Sequence, residues 1–205
     1  CGIMNRAVGG FRQGISTDIS SAVPYRHGKS DCSSRFLPAK FVGEFPDEPV
    51  IVASYAASLS EKFSKATRKI MDSPQYKELY DTRLDPRSDS AKVRSIENHN
   101  GEMIYVGADG GATGNGATLM VIDDFFKNRK EAESETIRES RWESFQNDFF
   151  TRLGPVHIVI VLNTRWHVDD ISGRIINCNN KRHEDYDPEF PKFEQVVFPA
   201  MDENG

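Results

Sequence analysis

A length of 205 residues suits one domain of ordinary size with a sizeable core, and the composition (38% hydrophobic, 28% charged) is globular, with neither low-complexity tracts nor a repeat. No apolar run approaches the roughly 18 residues of a membrane span, and the amino terminus lacks the charged and apolar regions of a secretory signal. The net charge of −5 gives no general attraction to nucleic acid and leaves only a local basic surface open, while three widely spaced cysteines without a CxxC pair argue against a disulfide framework or a zinc knuckle.

Taken in chain order, residues 18–23 are the first expected strand, followed by a glycine-lysine-serine turn and a helix. Residues 50–54 form the second strand. From 58 to 71, Leu59, Phe63, Ala66 and Ile70 recur at steps of three and four, with Glu61, Lys62, Lys65 and Lys69 on other faces. That spacing predicts an amphipathic helix lying on a sheet, punctuated by Pro74. Residues 81–91 read as a surface connection, and 93–96 with 102–106 as a hairpin across 98–101. The glycine-rich stretch 107–116 precedes a strand rather than a helix and reads as a connector. Residues 119–122 form a buried strand, and a long helix with Ile137, Trp142, Phe145 and Phe149 is expected from about 134 to 153. Residues 156–162 are another strand. A helix follows Trp166, with Asp169 or Asp170 at its start. A polar loop over 177–192 leads to a last strand at 194–198.

The strand candidates are continuously apolar rather than alternating, as expected of strands covered on both faces. Together with the intervening helices they give an α/β class: a mostly parallel central sheet flanked by helices on both faces, with an antiparallel hairpin added.

Three strand ends carry chemistry. Val23-Pro24-Tyr25-Arg26-His27-Gly28-Lys29-Ser30 follows the first strand and opens a helix. A phosphate loop needs backbone N–H groups at a helix start, a lysine for the β- and γ-phosphates and a hydroxyl for Mg²⁺; Gly28, Lys29 and Ser30 supply the last three elements in order. Val23 stands where the usual pattern has its first glycine. Leu119-Met120-Val121-Ile122-Asp123-Asp124 delivers two carboxylates from a buried strand, Asp123 suited to a metal shell and Asp124 to orienting or deprotonating a water. Asp124 takes a place where glutamate is commoner. Asn163, Thr164 and Arg165 end a third strand, where a hydroxyl or amide senses a γ-phosphate and Arg165 relays its loss. His183, Glu184, Asp185 and Asp187 read as a solvated loop rather than a metal site. Trp142, Phe145, Phe149 and Phe150 read as core.

With these motifs in place, the chain resembles the ATPase domain of the large terminase subunit of tailed double-stranded DNA phages. The resemblance rests on residues 23–30, 50–55, 113–117 running into 119–124, and 164–167, in that order, and extends from about Thr17 to Ala200. It implies a RecA-like ASCE P-loop ATPase that uses ATP and Mg²⁺ to drive viral double-stranded DNA into a procapsid. The implied assembly is a ring docked on the portal protein, assisted by a small terminase subunit, in the host cytoplasm and without a membrane. Carried over by position, Pro24, Tyr25, Arg26, His27, Gly28, Lys29 and Ser30 bind nucleotide. Ser30 and Asp123 hold Mg²⁺, Asp124 is the catalytic carboxylate, Arg26 faces the γ-phosphate and Thr164 belongs to the coupling motif. Gln13 lies at a plausible distance for an adenine contact. Residues 1–205 are then a single N-terminal motor domain. The family's RNase H-like nuclease half falls outside the chain, and DNA cleavage is not expected of it. Two other readings stay open: a helicase-like remodelling ATPase, and a nucleotide-binding or DNA-tethering module with little hydrolysis.

Overall fold

The computed structural model describes residues 2–23, 28–88, 90–110 and 114–197. The chain starts with α1 (Gly2–Arg12) and β1 (Thr17–Ala22), then runs through α2 (Lys29–Asp31), a π-helical turn (Cys32–Phe36) and α3 (Leu37–Glu44). β2 (Val50–Ser54), α4 (Ala57–Met71), α5 (Pro74–Leu79), β3 (Val93–Ser95), β4 (Glu102–Gly107) and β5 (Ala117–Asp123) follow. The last part comprises α6 (Arg129–Glu133), α7 (Glu135–Ser144), a π-helical turn (Phe145–Phe149), a 3-10 turn (Phe150–Arg152), β6 (Leu153–Asn163), α8 (Ile171–Asn179) and β7 (Glu194–Val197).

All seven of these strands form one sheet in the order β3-β4-β2-β5-β6-β1-β7. Among them, only the β3–β4 pair is antiparallel. The continuous apolar runs have the expected cause: every residue of β2 and β5 is buried, because helices cover both faces. Alternate side chains separate the two cores. Val50, Val52, Leu119 and Val121 pack with Phe41 and Phe63, under α1, α3 and α4. Ile51, Ala53, Met120 and Ile122 pack with Trp142, Phe145 and Phe149, under α7 and α8.

Several expectations change in detail. The hairpin exists, but β4 also pairs in parallel with β2, so its second strand belongs to the main sheet rather than to an appendage. The helix expected over 134–153 is α7 followed by π and 3-10 turns, and Leu153 already begins β6. Pro74 is the first residue of α5, capped by the Ser73 hydroxyl, which accepts from the Tyr76 N–H. The polar loop is shorter than expected because residues 177–179 complete α8.

Candidate active site

β6 lies between β5 and β1, and register sets Ala22 opposite Asn163 and Asp123 opposite Leu162. The three strands therefore stop along one edge of the sheet, the edge where open parallel sheets bind ligands. β1 leads toward Gly28, Lys29 and Ser30, β5 delivers Asp123 and Asp124, and β6 delivers Thr164.

Gly28 has φ of 69°, a left-handed conformation that glycine adopts without steric cost, and it is the residue from which α2 starts. One residue later, the Lys29 ammonium donates to Asp124 Oδ2 at 2.6 Å and to Thr164 Oγ1 at 2.9 Å. The Thr164 N–H donates to the other carboxylate oxygen, Asp124 Oδ1, at 2.6 Å. Lysine, carboxylate and threonine thus close a three-membered contact across three strand ends. Asp124 is held by its backbone as well. Its N–H donates to the Leu162 carbonyl at 2.8 Å, and its carbonyl accepts from the Tyr55 N–H at 2.8 Å. Its φ is 49°, which is uncommon outside glycine and best tolerated by Asp and Asn.

Asp123 is 1% exposed. Its Oδ2 accepts from the Ser34 hydroxyl at 2.6 Å, and the Ser30 hydroxyl also hydrogen-bonds the carboxylate. Burial pushes the Asp123 carboxyl above the usual carboxylate range; the Ser34 and Ser30 hydroxyls oppose this, Asp124 adds to it and Lys29 reduces it. A buried carboxylate flanked by hydroxyls is an all-oxygen donor set that suits a hard divalent cation.

Ser34 was not legible as a site residue, although one signal existed: it lies four residues after Ser30, on the same helical face. The contribution of α1 was also missed. Ile3 and Met4 join Ile19, Val23, Lys29 and Ile160 around a cavity of about 330 Å³ that Gly28 also lines.

Other candidates fall elsewhere. Pro24, Tyr25, Arg26 and His27 lie outside the described residues. Arg165 turns back on its own loop, with Nε donating to Asp170 Oδ2 at 3.0 Å. Asp170 in turn caps α8 by accepting from the Gly173 N–H, the role expected of Asp169 or Asp170. Asn163 is buried and donates to Ser172 Oγ at 2.9 Å, inside the fold rather than toward the loop. Gln13 sits in the turn between α1 and the start of β1, whereas Lys29 follows the end of β1, so the strand separates the two. His183 and Asp185 pair with each other within their loop, and no group of three or more His, Cys, Asp or Glu side chains placed to hold a metal occurs among the described residues.

A family model described as "Terminase large subunit, T4likevirus-type, N-terminal" matches residues 23–198, most of the chain. The chain belongs to the terminase large-subunit family. Among solved structures, the HK97 bacteriophage large terminase is similar to it with a TM-score of 0.59 at 16% identity, over 86% of this chain and 36% of that one. This likeness shows the shared fold of the terminase domain. The large terminase of a thermophilic bacteriophage gives a TM-score of 0.47 at 12% identity, over 78% of this chain and 38% of that one. The same thermophilic phage protein in complex with ADP gives 0.46 at 9% identity, over 78% and 37%. The terminase chain described here therefore spans little more than a third of these proteins. No curated protein matches it.

Proposed function

We propose that this terminase chain is the ATP-hydrolysing motor domain of a large subunit that moves viral double-stranded DNA into a procapsid. The observation that carries the reading is the contact of Lys29, Asp124 and Thr164 at the ends of three adjacent parallel strands. In this reading Lys29 leaves Asp124 to bind the β- and γ-phosphates of ATP. Ser30 and Asp123 are the residues that would hold Mg²⁺, which neutralises phosphate charge when bound. Freed of Lys29, Asp124 orients and deprotonates the attacking water, with the Thr164 N–H still aiming one carboxylate oxygen. Arg26 would face the γ-phosphate, and Thr164, touching both the lysine and the carboxylate, would report hydrolysis to the loop leading into α8. The motor works in this reading as a ring on the portal protein, with the small terminase subunit, in the host cytoplasm. Residues 23–198, which the family model covers, act as the motor in this reading.

Steady-state ATPase activity of the chain and of Lys29→Ala, with and without DNA and with Mg²⁺ varied, tests this. Turnover that requires Mg²⁺ and disappears in Lys29→Ala is expected. Equal hydrolysis by both proteins overturns the site. A second reading, a binding module with little hydrolysis, is favoured by one feature: both Asp124 oxygens are already engaged. Mg-ATP binding without turnover, in every assembly state, would select it.

A further inference from the structure

Two helices on opposite faces of the sheet carry exposed stripes of opposite charge. On α4, Lys62, Lys65, Arg68 and Lys69 are exposed, spaced by three and four residues so that they share one outer face. On α7, Glu135, Glu139 and Glu143 are exposed at steps of four. α4 packs on the core containing Phe63, and α7 on the opposite core containing Trp142, so the two stripes point away from each other. Each stripe borders a recess of matching sign. A cavity of about 420 Å³ is lined by Lys65, Arg68, Lys69 and Arg94 together with Asp72, which pairs with Arg68. Another of about 360 Å³ is lined by Asp109, Glu143 and Asp148 beside Arg141, whose guanidinium is already paired with Asp109.

Exposed charges elsewhere on the molecule are paired in several places, such as Arg6 with Glu194, Arg12 with Glu44 and Arg129 with Glu133. Among the described residues, Lys62, Lys65 and Lys69 have no carboxylate partner, and Glu135 and Glu143 have no cationic one. From this we infer that the α4 face of one copy docks against the α7 face of the next, head to tail. A contact between two different faces is heterologous, and it repeats from copy to copy into a ring or an open chain. Electrostatic complementarity of this kind selects partner and orientation. A nucleic-acid backbone is a poorer occupant of the basic face. Asp72 and Glu61 interrupt the stripe, and the acidic face would then have no complement. The inference rests on the ring assembly proposed above, for which it names the surfaces, and does not depend on hydrolysis.

Sedimentation velocity of the whole chain over a range of protein and salt concentrations tests it. Wild type and Lys29→Ala are expected to self-associate equally, and less at high salt. Reversal of the basic face (Lys62→Glu, Lys65→Glu, Lys69→Glu) or of the acidic face (Glu135→Lys, Glu143→Lys) should leave folded monomers, as judged by an unchanged thermal transition. Mixing the two reversed proteins should restore association, because each again offers opposite charges. Carbodiimide coupling should join α4 lysines to α7 glutamates between copies. The inference is overturned by a wild type that stays monomeric, by reversed proteins that associate as wild type does, or by a mixture that fails to recover. It is equally overturned if the basic reversal abolishes binding to a DNA duplex and leaves self-association intact.

Discussion

At Asp124 the backbone and the side chain are constrained together. The left-handed φ of 49° turns the carboxylate back over the strand end, and hydrogen bonds to Leu162 and Tyr55 hold it there. This places a negative group on Lys29, with the Lys29 and Asp124 side chains only 8% and 18% exposed. Screening is weak at such a site, so under the proposed function nucleotide and Asp124 would compete for one ammonium. Asp124→Asn should therefore lower turnover by about 10²-fold or more, the scale of a lost general base. The same change should leave ADP affinity intact or raise it roughly threefold, since Lys29 is no longer neutralised. Turnover by stopped assay and ADP affinity by calorimetry separate the two effects. A parallel loss of both would instead assign Asp124 to the metal shell. Ser34 shows the limit of reading at this scale. Its role comes from a 2.6 Å contact with Asp123, 89 residues away in sequence, and a serine inside a helix carries no local mark of that.

Elements were legible where one physical cause dominated. The second strand and β2 coincide at Val50–Ser54, a short apolar run rich in β-branched residues that suits a strand covered on both faces. α4 follows its apolar stripe to Met71. α1 left little trace, since Gly9 and Gly10 lower its propensity and only Ala7 and Val8 are fully buried within it. Packing against β1 and β6 makes it a helix. The π turn at Phe145–Phe149 breaks the 3.6-residue period, so a single long helix was the natural expectation. At the ends of β1 and β6 remote from the cleft, His157 Nε2 lies 3.4 Å from Asp18 Oδ1, and its Nδ1 is 2.7 Å from the Gly154 carbonyl. Asp18 raises the His157 pKa above its ordinary value, with burial opposing and the Gly154 carbonyl assisting. The folded state therefore holds the proton more tightly than the unfolded chain. The pair's contribution to stability is full below about pH 6.5 and fades as pH rises through the folded pKa. Chemical denaturation between about pH 6 and 8 should show this decline, and Asp18→Asn should flatten it. An NMR titration of His157 at or below the ordinary histidine value would contradict the assignment.

For the molecule as a whole, the sheet order matters more than any single strand. β1, β5 and β6 are far apart in sequence, yet they lie side by side and end together, and both cores press on them from opposite faces. A nucleotide bound there would tie the phosphate loop, the two carboxylates and Thr164 into one unit that the unfolded chain does not possess. Binding to the native state alone raises stability by RT ln(1 + [L]/Kd), about 2.7 kcal/mol when ligand is a hundred times Kd. For a domain of this size each kcal/mol moves the transition by about 2–4 °C, so saturating Mg-ADP should raise Tm by roughly 5–10 °C. Lys29→Ala should lose most of that shift. Its own Tm without nucleotide should fall only modestly, because Asp124 loses its cation but keeps the Thr164 N–H and some contact with water. Chelating Mg²⁺ should reduce the shift if Ser30 and Asp123 hold the cation, since phosphate charge would then go without its neutralising partner. Scanning calorimetry of the two proteins with and without Mg-ADP reads all three effects. Equal shifts in both proteins would place the nucleotide somewhere other than the junction of β1, β5 and β6.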